Sequence, residues 1–165
     1  MTTSQHFREV LLLSDKEMKE INIELSRAAS KASASVDALN IIQRNRGWVS
    51  DEAVKDLAAV LDMSAEELDA VATFYSFIFR RPVGRHVILI CDSISCWVVG
   101  YNPLLDVLKR QLDITFGETT SDNRFTLLPI SCLGACDRAP AVMVDDELYG
   151  PVTAESMDDI LSKYE

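Results

Sequence analysis

The stretch RFTLLPISCLGAC, residues 124–136, joins a short apolar run to two of the four cysteines of this 165-residue chain. The other two cysteines belong to a similar stretch, HVILICDSISC, residues 86–96. A short run of apolar and β-branched residues is typical of a buried strand. We therefore predict that Cys91 ends the first strand and that Cys96 lies in the loop after it. Cys132 and Cys136 are predicted in the loop after the second strand.

The segment between these runs predicts a crossover helix. In NPLLDVLKRQL, residues 102–112, Asn102 is expected as the N-cap and Pro103 as the first helical residue. A strand, a helix and a second strand in this order imply neighbouring parallel strands, whose carboxyl ends meet at one edge of the sheet. The four thiols can then converge at that edge.

The remaining segments complete a small sheet with a helix. PAVMV, residues 140–144, predicts a third strand, and Asp145 with Asp146 predicts a turn, so 141–149 is expected to form a hairpin. Thr153 is expected to cap a final helix. The predicted class is a mixed α/β domain, compatible with a thioredoxin-like fold.

The first half of the chain has a helical pattern. Capping boxes are predicted at residues 14–17 and 64–67, Gly47 is expected to end a helix, and Ser50 to begin another. These signals give about four helices by residue 79. The sequence RRPVG, residues 80–84, interrupts the pattern. The predicted domains are therefore 1–80, an N-terminal helical bundle, and 81–165, which carries all four cysteines.

Composition excludes several classes of function. The formal net charge of −10 argues against binding of nucleic acid or of an anionic membrane surface. The apolar runs fall far short of the about 20 residues of a membrane-spanning helix, and residues 1–10 resemble neither a signal nor a transit peptide. A cytosolic location, alone or docked to a larger assembly, is expected. In a reducing cytosol, clustered cysteines favour metal ligands or catalytic groups over disulfides.

The cysteine spacing is C-x4-C, then 35 residues, then C-x3-C. Inert thiols are expected to be scattered, and a thioredoxin-type dithiol needs C-x-x-C, which is absent. A four-cysteine zinc site usually has about two residues within each pair, although zinc tolerates other spacings. A [2Fe–2S] cluster needs two cysteines per iron, which two separate pairs supply. The pattern favours the iron–sulfur site, with zinc as the alternative.

Gly134 lies between the cysteines of the second pair. Glycine allows the backbone to turn tightly, so we expect a tight turn here with N–H groups directed at sulfur.

No other catalytic or cofactor motif is present in the sequence. It has no G-x-G-x-x-G after a strand, no P-loop and no constellation built on its two histidines. We therefore expect no catalytic residue on this chain. An electron-transfer protein of this kind needs a donor and an acceptor in other proteins.

The cysteine pattern with CLGAC, together with VATFYSFIFRRPVG and VMVDDELYG, resembles the family of the E subunits of bacterial NADH–quinone oxidoreductases (complex I). The same family includes small subunits of NAD-dependent formate dehydrogenases and NAD-reducing hydrogenases. The resemblance extends from about Leu13 to Tyr164. Asn123 stands where the family typically has glycine; asparagine tolerates the left-handed conformation, so the turn is expected to form.

The resemblance implies an N-terminal helical bundle followed by a thioredoxin-like [2Fe–2S] ferredoxin domain. It implies one [2Fe–2S] cluster, with Cys91 and Cys96 on one iron and Cys132 and Cys136 on the other. It also implies a partner subunit that binds NADH and FMN, together with other peripheral-arm subunits. The resemblance further implies that this assembly lies on the cytoplasmic side of the inner membrane. The resemblance thus implies an electron-transfer subunit of an NADH–quinone oxidoreductase, whose cluster exchanges electrons with the FMN of the partner subunit. The alternative functions are a small [2Fe–2S] subunit of a soluble NAD-linked hydrogenase or formate dehydrogenase, and a zinc-stabilised interaction module.

Overall fold

The computed structural model describes residues 13–164, so the expectation about residues 1–10 lies outside the described residues. The chain divides into two compact units, Met1–Pro82 and Val83–Glu165. No helix within 13–164 is both long enough and apolar enough to cross a membrane.

Within residues 13–82, the first unit forms four α-helices around an apolar core. They are α1 (Asp15–Arg27), α2 (Ser35–Arg46), α3 (Asp51–Leu61) and α4 (Ala65–Phe74), with a 3₁₀ turn at Ala32–Ala34. Helix α2 contacts each of the other three helices. The core side chains of this unit include Ile21, Leu39, Leu57 and Leu68, none of which is accessible to solvent.

The predicted helix ends of this unit are confirmed. Ser14 and Ser64 each form a capping box with the glutamate three residues later. The Ser50 side chain accepts a hydrogen bond from the backbone N–H of Ala53 and begins α3. Gly47 ends α2 with φ +84°, a left-handed conformation that suits glycine.

A buried ion pair joins α1 to α2. The Glu17 carboxylate, 2% exposed, accepts hydrogen bonds from Arg46 at 2.5 Å to Nε and 2.7 Å to Nη2. It also accepts the backbone N–H of Ser14 at 2.7 Å. The Arg46 hydrogen bond, together with those of Ser14, outweighs burial and lowers the pKa of Glu17 to about 2. The carboxylate therefore stays ionised although it is buried.

The second unit is a four-stranded sheet with helices. Its elements are β1 (His86–Cys91), α5 (Ile94–Val99), α6 (Tyr101–Leu112), β2 (Phe125–Ile130), a 3₁₀ turn (Cys136–Arg138), β3 (Val142–Val144), β4 (Glu147–Tyr149) and α7 (Met157–Leu161). The strand order is β2-β1-β3-β4. Strands β1 and β2 are parallel, as predicted, and Cys91 pairs with Ile130. Strands β3 and β4 form the predicted antiparallel hairpin.

Side chains from both sheet and helices fill the core of this unit. Ile88, Leu127 and Val142 of the sheet pack with Leu108 of α6 and Met157 of α7. The crossover places β1 and β2 side by side, with both carboxyl ends at one edge.

The left-handed turn expected before β2 is confirmed. Asn123 has φ +56°, and its backbone N–H donates to the carbonyl oxygen of Thr120 at 2.8 Å. Asparagine therefore replaces glycine at this position without loss of the turn.

Two predicted helix starts are wrong. The crossover region contains two helices, α5 and α6, separated by Gly100 at φ +137°, and α6 begins at Tyr101 with Gly100 rather than Asn102 as its N-cap. The final helix begins at Met157, four residues after the predicted cap. Thr153 does accept the backbone N–H of Ser156 at 3.3 Å, but residues 154–156 form turns rather than α-helix.

Candidate metal centre

The four cysteines lie at the edge where β1 and β2 end. Cys91 is the last residue of β1 and is buried, and Cys96 is buried in α5. Cys132 and Cys136 lie on the segment after β2 and are exposed, with Cys136 at the start of the 3₁₀ turn. All four thiols are free. The prediction that both pairs follow neighbouring parallel strands is therefore confirmed.

The predicted position of Cys96 is wrong in one respect. Cys96 lies in the first turn of helix α5 rather than in a loop. Ser93 precedes the helix in an extended conformation, and its carbonyl oxygen accepts the backbone N–H of Trp97 at 2.8 Å. The helix turns the Cys96 side chain inward, where it is 1% exposed.

Backbone and apolar contacts hold the first cysteine pair. Cys91 and Cys96 pack with Ala135 and Ala141. The backbone N–H of Cys91 donates to the carbonyl oxygen of Ala141 at 3.1 Å. Burial raises the pKa of the Cys96 thiol, a backbone hydrogen bond with Ala141 opposes this, and the neighbouring thiols Cys91 and Cys136 raise it further.

The second pair lies on a tight turn. Gly134 has φ +73°, and its backbone N–H donates to Cys132 Sγ at 3.3 Å. A Cβ at Gly134 would meet nothing within 4 Å, so the glycine is required by the backbone conformation rather than by lack of space. Both effects expected of this glycine, a tight turn and an N–H directed at sulfur, are confirmed.

Four cysteine thiols are suitable ligands for a thiolate-bound metal, although their sulfur atoms are not already gathered around one point. Across the described residues, no three His, Cys, Asp or Glu side chains lie close enough together to hold a metal ion. Cys91 and Cys96 nevertheless pack in one buried cluster with Ala135, and Cys132 shares the exposed segment with Cys136. Four free thiols in two pairs are the ligands that a [2Fe–2S] cluster requires.

A glycine distant in sequence supports the second pair. A Cβ at Gly150 would overlap the backbone carbonyl oxygen of Arg138, two residues after Cys136. The backbone N–H of Val152 donates to the carbonyl oxygen of Pro140 at 2.9 Å. Residues 138–141 therefore lie between β1 on one side and residues 150–152 on the other. Gly150 and Pro151 are residues typical of a turn, but the sequence does not reveal that Gly150 lies against the backbone of Arg138.

We expect Gly150→Ala to lower the iron content and the stability together. The added methyl group must displace backbone at Arg138, and overpacking of this kind costs about 1–3 kcal/mol. Iron per chain and the free energy of unfolding measure the two effects. Gly117→Ala is the matched control: Gly117 has φ +82° but no atom near its Cβ position, so it should lose stability without losing iron. Full iron content in Gly150→Ala would contradict the supporting role.

The chain is similar in sequence to one class of iron–sulfur proteins and, within it, to one family. The family model of the thioredoxin-like [2Fe–2S] ferredoxins matches residues 21–165. The E subunit of the NADH-quinone oxidoreductase of Pseudomonas aeruginosa is 44% identical over 153 residues, covering 93% of this chain and 92% of the relative. The Escherichia coli E subunit is 44% identical over 156 residues, covering 94% of both. The chain belongs to the family of NADH-quinone oxidoreductase E subunits.

A solved structure shares much of this fold. An NAD⁺-reducing [NiFe]-hydrogenase in the air-oxidised state matches with a TM-score of 0.67 at 25% identity. The match covers 79% of this chain but 22% of the hydrogenase chain. In that protein the shared fold is therefore about a fifth of a much longer polypeptide.

Proposed function

We propose that this chain is the electron-transfer subunit of an NADH–quinone oxidoreductase and that it holds one [2Fe–2S] cluster. The observation that carries the proposal is the set of four free thiols at the ends of two adjacent parallel strands. Cys91 and Cys96 are proposed as the ligands of one iron, and Cys132 and Cys136 as those of the other. No catalytic residue is proposed on this chain.

The protein contributes position, burial and hydrogen bonds to this site. When bound, a [2Fe–2S] cluster supplies one-electron transfer. The buried pair, Cys91 and Cys96, fixes one side on rigid elements, a strand end and a helix. The N–H of Gly134 stabilises negative charge on Cys132 Sγ. The exposed pair lies toward solvent, where a partner can approach.

The proposed complex contains further subunits. The partner is a flavin-containing NADH-binding subunit, which carries FMN and NADH, and other peripheral-arm subunits complete the assembly. The assembly would lie on the cytoplasmic side of the inner membrane. We propose that the helices of the first unit form an N-terminal helical bundle. The domain limits 1–80 and 81–165 remain predictions.

One observation favours a second candidate function. The likeness to the NAD⁺-reducing hydrogenase supports a small [2Fe–2S] subunit of a soluble NAD-linked hydrogenase or formate dehydrogenase. The 44% identity to the E subunit of Pseudomonas aeruginosa over nearly the whole chain favours the quinone-linked enzyme. Purification of the native complex distinguishes the two candidates, because only the quinone-linked complex contains membrane-arm subunits.

Iron and sulfide analysis with EPR tests the cluster. We expect about two irons and about two acid-labile sulfides per chain, visible sulfur-to-iron charge-transfer bands, and an EPR signal that appears only on reduction. A colourless protein with one zinc and no sulfide would refute the proposal and support the zinc-stabilised module.

A further inference from the structure

Two leucines from separate segments pack against the buried pair of cysteines. Leu133 lies in the segment after β2, next to Cys132, and Leu148 lies in β4, outside every cysteine motif. Both are partly buried and contact one cluster of buried side chains: Cys91, Cys96, Ala135 and Ala141. We call Leu133 and Leu148 the leucine cover.

The register of the sheet explains why Leu148 reaches the cysteines. Met143 of β3 pairs with Leu89 of β1 on one side and with Leu148 of β4 on the other. Paired residues of neighbouring strands share a face of the sheet, and so do alternate residues of one strand. Cys91, two residues after Leu89, therefore lies on the face that carries Leu148.

Apolar side chains over the ligands oppose reduction of the candidate centre. Reduction adds one electron, and therefore one negative charge, to a group already bound by thiolates. Water stabilises that added charge, whereas an apolar side chain in its place does not. Resting on the proposed function, we propose that the leucine cover keeps water from Cys91 and Cys96 and thereby holds the reduction potential of the cluster low.

The two cysteine pairs differ in their access to solvent. Cys91 is 2% and Cys96 1% exposed, whereas Cys132 and Cys136 are exposed. The leucine cover therefore excludes water on the side of the buried pair, while the exposed pair meets solvent. Leu148 is the better site for a substitution, because β4 is the last strand of the sheet and carries no ligand.

Redox titration of the cluster-containing full chain tests the inference. Dithionite supplies the electron, and the EPR signal of the reduced protein is followed against the potential. Leu148→Asn replaces the side chain by a polar one of comparable size. We expect it to shift the reduction equilibrium about tenfold toward the reduced form, which for one electron raises the midpoint potential by about 59 mV. Leu148→Met keeps an apolar side chain and should titrate like the wild type.

Leu105→Asn is the matched control for lost packing. Leu105 is a partly buried leucine of α6 that packs against the core on the sheet side of α6 and α7, which contains Ile88, Leu127 and Val142. Its replacement should lower the free energy of unfolding, as Leu148→Asn does, and leave the midpoint potential unchanged. Potentials are compared at wild-type iron and sulfide content. If Leu148→Asn loses iron, Leu148→Ala and Leu133→Ala open the cover without a polar group and should raise the midpoint potential in its place.

The outcomes separate the leucine cover from the proposed function. A cluster-containing wild type with the same midpoint potential as the Leu148 variants overturns the inference and leaves the proposed function standing. An equal shift in Leu105→Asn would assign the effect to lost packing and would also overturn the inference. A wild-type chain that holds no iron and sulfide overturns the proposed function, and the inference with it.

Discussion

Cys132→Ala is expected to remove the cluster while leaving the second unit folded. Changes outside the ligand set already cost metal sites about 10- to 100-fold in affinity, so loss of a ligand should cost more than about 100-fold. The Cys132 side chain is exposed, and its sulfur accepts the backbone N–H of Gly134, so little buried surface is lost. Iron and sulfide analysis, visible circular dichroism and far-ultraviolet circular dichroism measure the cluster and the fold.

Two variants make the Cys132 result specific. Ser131→Ala changes the exposed neighbouring residue and removes no thiol, so its iron content should match the wild type. Cys96→Ala should lose the cluster and also lower the free energy of unfolding, because Cys96 is buried among Cys91, Ala135 and Ala141. Wild-type iron content in Cys132→Ala would exclude Cys132 as a ligand.

The sequence could predict the site because the cysteines follow strands whose pairing is constrained. A strand, a crossover and a second strand fix a parallel pair, and the observed register sets Cys91 opposite Ile130. Helix capping is similarly local, so Ser14, Ser50 and Ser64 could be identified from spacing alone.

The features that the sequence did not reveal depend on distant residues or on weak local signals. Helix α5 has six residues, ISCWVV, with no side-chain cap, and its apolar composition suits a loop, a strand or a helix. Gly150 approaches Arg138 only because β3 and β4 bring residues 138–141 and 150–152 together. Local patterns carry no information about such contacts.

Glu17 has one partner that the sequence predicts and one that it does not. The capping box predicted that Glu17 reaches back to Ser14, and the backbone N–H of Ser14 does donate to it at 2.7 Å. Arg46, 29 residues later, could not be identified as its partner from spacing. Yet this distant contact decides the charge of the carboxylate, because the Arg46 hydrogen bond is the largest cause of its lowered pKa.

Arg46→Ala is expected to destabilise the first unit by about 3–5 kcal/mol, because it leaves the buried Glu17 carboxylate without its ion pair. Urea unfolding of the full chain, followed by far-ultraviolet circular dichroism, measures the change. Arg44→Ala is the matched control on the same helix. Arg44 lies 3.6 Å from Glu20 but its side chain is 71% exposed, so its loss should cost between about 0 and 1 kcal/mol. Equal effects in the two variants would contradict the importance of burial.

The pH dependence of unfolding tests the same pair without removing arginine. The pKa of Glu17 falls from 4.5 to about 2 in the folded chain, so the unfolded chain binds more protons between these values. The stabilisation is complete above about pH 4.5 and is lost as the pH falls toward about 2, a total of about 3 kcal/mol. Glu17→Gln removes the titrating group, so the difference in unfolding free energy between wild type and variant should shrink over this range. A difference that stays constant from about pH 5 to about pH 2 would show that Glu17 does not titrate with a lowered pKa.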